Sequence, residues 1–137
     1  VQMLERNPLI ALMLEDGMTR ALADPGCSAA VKRMTLNLAD AVSYIPLLEV
    51  SQRPDVIYLD PMFPPRRKAA KVKKEMQLLH QLLQDSEPQQ ALLTSAREKA
   101  ISKVVVKRPR HAPFLDNQPP NYSVEGKSSR YDIYLTR

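Results

Sequence analysis

The chain has few of the residues on which disulfide, metal and nucleotide-loop chemistry depend. Among its 137 residues are one cysteine, two histidines and three glycines. The single Cys27 excludes an intrachain disulfide framework and a cysteine-based metal site, which fits a reducing cytoplasm. His80 and His111 have no second His or Cys at ligand spacing, so the pattern predicts no metal site. None of the three glycines forms the glycine-rich turn through which a nucleotide-like cofactor approaches the backbone.

Long apolar runs are missing as well. The longest is far shorter than a membrane span, and the first residues show no basic segment followed by an apolar core. The sequence therefore predicts a soluble, cytoplasmic protein. With 44% hydrophobic residues, a chain of this length can form one compact domain with little room for a second. We expect a single domain over residues 1–137.

Positive charge is concentrated in two parts of a chain whose formal net charge is +5. Six basic residues fall in one short stretch, at Arg66, Arg67, Lys68, Lys71, Lys73 and Lys74. Three more follow at Lys107, Arg108 and Arg110, so the remainder of the chain is net negative. This distribution favours a polyphosphate partner such as RNA, bound more weakly as salt rises. A solvated helix face or loop would explain the same residues without RNA.

Strand and helix signals alternate along the chain. Strands are predicted over residues 1–5, 34–38, 56–59 and 103–106. Helices are predicted from Asn7 and Pro8 up to Pro25, and over residues 68–83 and 91–100. A closing hairpin is expected over residues 122–125 and 131–135. This order is typical of an α/β fold with a mostly parallel sheet.

Two further expectations concern parts of this pattern. In the first helix, Leu9, Leu12, Met13 and Ala21 form an apolar stripe that we expect to face inward. Residues 109–120 are rich in proline and predict a mobile loop over a cleft.

The segment from Asp55 to Pro64 is an apolar strand that stops on Asp60, followed by a turn stiffened by proline. In an open α/β sheet, ligands bind beyond the carboxyl ends of the strands. There the Asp60 carboxylate and the Pro61 carbonyl could accept the two hydrogens of a base amine and aim its lone pair. Phe63 offers a face on which a base can stack. An Asp that caps the next helix beside a buried Phe explains the segment about equally well.

Residues 60–63, Asp-Pro-Met-Phe, resemble the Asp/Asn-Pro-Pro-Tyr/Phe tetrapeptide of S-adenosylmethionine-dependent amino methyltransferases, with Met62 in place of the second proline. Residues 58–64, 72–76, 104–109 and 131–134 resemble one family more closely, the RsmJ-type guanine-N2 methyltransferases of bacterial 16S ribosomal RNA. The likeness runs from Leu4 to the C-terminus. It implies a Rossmann-like class I fold, S-adenosylmethionine as cofactor, and small-subunit ribosomal RNA or an assembled small subunit as substrate.

The resemblance also assigns cofactor residues. Glu5, at the end of a strand, would accept hydrogen bonds from the ribose hydroxyls, and Arg6 shares this pocket. Asp40 and Ala41 match the stretch that holds the adenine, and Asp60 borders the cofactor. A charge pair at a helix start remains an alternative for Glu5 and Arg6, and a plain turn residue remains one for Asp40.

In the family, a glycine-rich turn follows the first strand and precedes the acidic residue that ends the second. Glu5 occupies that second-strand position here. We therefore expect the chain to be the C-terminal part of a longer methyltransferase domain, lacking the first strand and its turn, and inactive alone. Two other functions stay open: methylation of another base in RNA or DNA, and a non-enzymatic basic RNA-binding module.

Overall fold

The computed structural model describes residues 1–61 and 92–136. They belong to two compact units, Val1–Leu47 and Leu48–Arg137. The predicted helix over residues 68–83, Phe63 and the basic stretch 66–74 lie outside the described residues. In the part that is described, no helix is long and apolar enough to cross a membrane. The single domain over residues 1–137 stays a prediction.

The first unit is built around two parallel strands. β1 (Gln2–Glu5) pairs with β2 (Thr35–Leu38), with Gln2 opposite Thr35 and Glu5 opposite Leu38. Three helices accompany them: α1 (Pro8–Leu22), α2 (Ser28–Val31) and α3 (Ala41–Tyr44). Because the strands are parallel, their carboxyl ends lie at the same edge.

The start of α1 agrees with its sequence signal. Asn7 has an extended backbone, and its Oδ1 accepts hydrogen bonds from the amides of Leu9 and Ile10 at 2.9 and 3.3 Å. Pro8 occupies the first helical position, where its missing N–H costs no helical hydrogen bond.

The predicted apolar stripe on α1 is wrong for most of its members. Leu9, Leu12 and Met13 are 48, 62 and 59% exposed, whereas the fully buried residue on this helix is Ala11. The physical reason is area, since two strands of four residues offer little surface against which a fifteen-residue helix can bury a broad face.

The second unit contains a four-stranded sheet. Its strands are β3 (Val56–Leu59), β4 (Lys103–Pro109), β5 (Tyr122–Glu125) and β6 (Ser129–Leu135), and their spatial order is β3-β4-β6-β5. β3 and β4 are parallel, while β6 is antiparallel to both β4 and β5. The β5–β6 hairpin was predicted. Within the described residues, two strand pairings are parallel and two are antiparallel. The expected predominance of parallel pairing is therefore not seen in this part of the chain.

One face of this sheet carries the core. β4 alternates with the period of two of a strand, burying Val104 and Val106 while Val105 and Lys107 stay partly exposed. Helix α4 (Leu92–Lys99) supplies Leu93 and Ala96, which are both fully buried. The opposite face of β4 is therefore available for polar chemistry.

Candidate active site

The carboxyl end of β3 presents a carboxylate, as the sequence predicts. β3 buries Ile57 and Leu59 and exposes Tyr58, and Asp60 follows its last residue. Leu59 pairs with Val106 of β4, so the next residue of β4, Lys107, stands beside Asp60. The Lys107 Nζ lies 2.8 Å from Asp60 Oδ2, and the two side chains are 38 and 51% exposed. Strand register alone brings this pair together.

The electrostatics of the pair fix the charge of Lys107. Its hydrogen bond to Asp60, and then the negative charge of that carboxylate, raise the pKa of Lys107 above its ordinary value. The ammonium therefore stays protonated at any ordinary assay pH and cannot serve as a base. Partial burial, and then the charge of Asp60, raise the pKa of Tyr58. Tyr131 lies opposite Lys107 on β6. Among the described residues, Lys107, Tyr58 and Tyr131 thus place a cation and two phenols around Asp60.

Within the part of the chain that is described, only one oxygen of Asp60 has a hydrogen-bond partner. Oδ2 accepts from Lys107, and Oδ1 has no hydrogen-bond donor within residues 1–61 and 92–136. A carboxylate oxygen in this state can accept an N–H from a bound amine. Pro61 is partly buried, and its role as the second acceptor stays a prediction. The alternative in which Asp60 caps the next helix concerns residues outside those described.

The first unit brings the predicted cofactor residues to one edge. Glu5 ends β1, and Asp40 and Ala41 follow the parallel β2. The Arg6 Nη1 lies 3.8 Å from Asp40 Oδ2, with both side chains about one-third exposed at 35 and 39%. Four residues chosen from sequence are therefore neighbours at the carboxyl ends of two strands. Their contact with a cofactor stays a prediction.

Two of these residues also have local structural roles. Glu5 Oε1 accepts from the amide of Asn7 at 2.7 Å, next to the start of α1. Asp40 Oδ1 accepts from the amide of Val42 at 2.8 Å and caps α3. A local role beside a helix start therefore has a geometric basis for both carboxylates, although Glu5 makes its contact with an amide and Arg6 pairs with Asp40. Each carboxylate still has a second oxygen: Asp40 Oδ2 faces Arg6, and Glu5 Oε2 has no hydrogen-bond donor in the described part of the chain.

The three basic residues of β4 and its following loop have different environments. Lys107 pairs with Asp60, whereas Arg110 is exposed and pairs with Glu125 at 3.0 Å. Arg108 is only 5% exposed and donates from Nη2 to the carbonyl of Pro113. Its burial leaves little surface for a phosphate, and RNA binding by Arg108 stays a prediction. An RNA contact of Arg110 stays a prediction.

A buried ionic cluster was missed by the sequence reasoning. Arg130 Nε and Nη2 donate to the two oxygens of Asp132 at 2.8 and 3.1 Å, and Ser123 Oγ donates to Asp132 Oδ1 at 2.6 Å. Asp132 is fully buried and Arg130 is 9% exposed. The guanidinium also lies 4.7 Å from the centroid of the Phe114 ring. The available signal was the alternation of β6, which places Arg130 and Asp132 on one face.

The loop after β4 is linked to the sheet by three side-chain hydrogen bonds, and its mobility stays a prediction. Arg130 Nη1 donates to the carbonyl of Arg110 at 2.8 Å, and the Tyr134 hydroxyl donates to the carbonyl of Gln118 at 2.9 Å. Arg108 provides a third tie through Pro113. Burial raises the pKa of Tyr134 to about 12, so its hydroxyl stays protonated and continues to donate.

Within residues 1–61 and 92–136, no group of three or more His, Cys, Asp or Glu side chains could hold a metal ion.

Comparison with known proteins identifies the family. A family model described as "Putative SAM-dependent methyltransferase" matches residues 1–136. The chain belongs to this family. It is 37% identical to a SAM-dependent methyltransferase of known crystal structure from Neisseria gonorrhoeae, with a TM-score of 0.76 over 99% of this chain and 52% of that one. The predicted α/β fold of a class I methyltransferase is confirmed, and S-adenosylmethionine is the cofactor of the family.

Relatives of known assignment are similar throughout the chain. It is 51% identical to ribosomal RNA small subunit methyltransferase J of Cellvibrio japonicus over 100% of this chain and 53% of that protein. It is also 51% identical to the protein of the same name from Stutzerimonas stutzeri, over 98% of this chain and 52% of that protein. The chain spans about half the length of the curated relatives it matches.

Proposed function

We propose that the full-length protein containing this chain methylates the exocyclic N2 amine of a guanine in 16S ribosomal RNA. The observation that carries the proposal is the position of Asp60, which directly follows β3 and precedes Pro61, and whose Oδ1 has no hydrogen-bond donor among the described residues. Membership of the methyltransferase family and the small-subunit ribosomal RNA named for its relatives support the same substrate. Naked RNA and an assembled small subunit are both compatible with it, and either implies a cytoplasmic location.

The residues at the end of β1 and β2 fit the cofactor chemically. A half-buried carboxylate that ends a strand is the group that accepts hydrogen bonds from ribose hydroxyls in nucleotide sites, and Glu5 is such a group. Arg6, Asp40 and Ala41 would complete a polar edge around the nucleoside part. When bound, S-adenosylmethionine supplies a methyl group on a sulfonium that carries its own leaving group.

The chain's own contribution at Asp60 is to orient the acceptor. The lone pair of a base amine is delocalised into the ring, which makes the nitrogen a poor nucleophile. Asp60 Oδ1 and the Pro61 carbonyl would accept its two hydrogens and direct the lone pair. Oδ1 can also receive the proton that the amine loses, and solvent can remove it because 51% of the side chain is exposed. Phe63 would stack on the base, a contact worth about 1–3 kcal/mol.

Binding to RNA would come mainly from the basic residues 66–74 together with Arg110. Such contacts carry no base specificity. Asp60 and Phe63 would hold a base that has an exocyclic amine, and the assignment to guanine rests on the resemblance to the RsmJ-type family.

The proposal predicts a specific change in ribosomal RNA. Mass spectrometry of 16S RNA from cells that lack the gene should show the loss of one N2-methylguanosine. Returning the wild-type gene should restore it. Loss of a methylated adenine or cytosine instead would indicate that another base is the substrate. An unchanged pattern of modified nucleosides would contradict enzymatic methylation and leave a binding module.

A further inference from the structure

We infer that Lys107 is a positioning residue that orients the Asp60 carboxylate, and that it is not a phosphate-binding residue. The inference rests on the proposed function, because the orientation matters only if Asp60 receives a base amine. It departs from the charge pattern of the sequence, which groups Lys107 with the RNA-binding residues.

The sheet fixes Lys107 at both sides. It lies on β4, which pairs with β3 on one side and with β6 on the other, where Lys107 is opposite Tyr131. The neighbouring pair Leu59 and Val106 sets the register that places Lys107 next to Asp60. A lysine on an exposed loop could follow a phosphate as the RNA moves. This one starts from a strand with a neighbour on each side, so its backbone is held beside the end of β3.

The contact selects one carboxylate oxygen. Lys107 Nζ donates a hydrogen bond to Oδ2 at 2.8 Å. Oδ1 is then the oxygen proposed to accept from a ligand. Without the ammonium, the carboxylate could rotate and present either oxygen, or neither, to the amine. Misplacement of a reacting group by about 1 Å can reduce the rate about a hundredfold. Lys107 is also already paired with a carboxylate, so it adds less positive charge for a phosphate than its formal charge suggests.

A matched pair of variants tests the inference in the full-length protein. Lys107→Met removes the ammonium but keeps most of the side-chain volume. Lys103→Met removes the same charge from the same face of β4, four residues earlier, where no ion pair is formed within the described residues. With saturating S-adenosylmethionine, Lys107→Met should slow single-turnover methyl transfer to 16S RNA by about tenfold to a hundredfold. Lys103→Met should stay within about twofold of wild type.

RNA binding separates positioning from phosphate contact. The affinity of Lys107→Met for RNA, and the slope of its logarithm against the logarithm of salt concentration, should equal those of wild type. A lost phosphate contact would weaken binding and reduce that slope by about 0.7–0.9, and this result would overturn the inference. Transfer at the wild-type rate, or equal slowing by the two lysine variants, would overturn it as well.

Two further variants test whether Lys107 acts on methyl transfer through Asp60. Lys107→Arg keeps a cation within reach of Oδ2 and should recover most of the lost rate. In an Asp60→Asn background, Lys107→Met should cost less than about twofold, since residues that act as one unit are not additive. A full additional loss in that background would contradict action through Asp60. If the wild-type protein does not methylate 16S RNA, the proposed function fails and the inference fails with it. If the wild-type protein and Lys107→Met transfer methyl groups at the same rate, only the inference is rejected.

Discussion

At the scale of single residues, the polar side chains of interest are those that directly follow a parallel strand. Glu5 ends β1, Asp40 follows β2 by two positions, and Asp60 follows β3. Each of them also accepts a hydrogen bond within the protein. Glu5 and Asp40 accept from amides two residues away, those of Asn7 and Val42, and Asp60 accepts from the Lys107 ammonium on the neighbouring strand. Each contact uses one oxygen of the carboxylate. We propose that these contacts orient the second oxygen of each carboxylate for a ligand.

Glu5→Gln tests this arrangement at the cofactor edge. The amide oxygen of Gln can still accept from the Asn7 N–H, so the start of α1 should be preserved. The charged acceptor for the ribose is lost, and hydrogen bonds to charged groups exceed neutral ones by about 1–2 kcal/mol. Calorimetry on the full-length protein should therefore show S-adenosylmethionine affinity reduced roughly tenfold. The control Glu15→Gln changes an exposed glutamate on α1 and should bind normally. Equal affinity for Glu5→Gln and wild type would reject the ribose contact.

At the scale of secondary-structure elements, the charged residues of β4 and β6 hold the following loop. Arg108, Arg130 and Tyr134 each donate to one backbone carbonyl of the segment between β4 and β5. Asp132 in turn fixes the Arg130 guanidinium through both of its oxygens. The loop path therefore depends on a carboxylate buried in a strand.

Asp132→Ala and Glu125→Ala compare the loss of a buried ion pair with the loss of an exposed one. Asp132 pairs with Arg130, and Glu125 pairs with Arg110. Asp132 is fully buried, and its removal leaves the Arg130 guanidinium without its carboxylate, which costs about 3–5 kcal/mol for a buried pair. Glu125 pairs with Arg110 where both side chains are about half exposed, at 56 and 49%, so its removal should cost at most about 1 kcal/mol. Urea unfolding of the full-length protein measures both changes. Similar losses for the two variants would show that the Arg130–Asp132 pair does not anchor this loop.

Local chemistry explains which elements could be predicted. Asn7 and Pro8 mark the start of α1 by capping, and an apolar run marks β3, because both signals lie within a few residues. β4 extends to Pro109, beyond the predicted end at Val106, because β6 pairs with Lys107, Arg108 and Pro109. Helices α2 and α3, with four residues each, are too short to show a helical period.

In the candidate site too, contacts between residues close in sequence could be predicted, and contacts between residues far apart in sequence could not. Asp60 could be found from sequence because it directly follows its own strand. Its partner Lys107 is 47 residues away, and only strand register brings the two together. For the same reason Arg108 was taken for a surface cation, although pairing with β6 places it on the buried face of the sheet.

At the scale of the whole molecule, different residues are proposed to hold the RNA and to transfer the methyl group. Basic residues of the sequence, chiefly those at positions 66–74, are proposed to hold the RNA backbone. The open oxygen of Asp60 is proposed to orient the base amine. Changes at the carboxylate should therefore affect transfer and leave RNA affinity almost unchanged.

The most direct test of this central claim is single-turnover methyl transfer by Asp60→Ala in the full-length protein, with saturating S-adenosylmethionine and RNA affinity measured in parallel. Asp55→Ala, at the opposite end of the same strand and also exposed, is the matched control. The account predicts transfer slowed by about a hundredfold or more for Asp60→Ala, with RNA affinity within roughly threefold of wild type because phosphate contacts supply most of it. Transfer by Asp60→Ala at the rate of wild type and of Asp55→Ala would contradict the role proposed for this carboxylate.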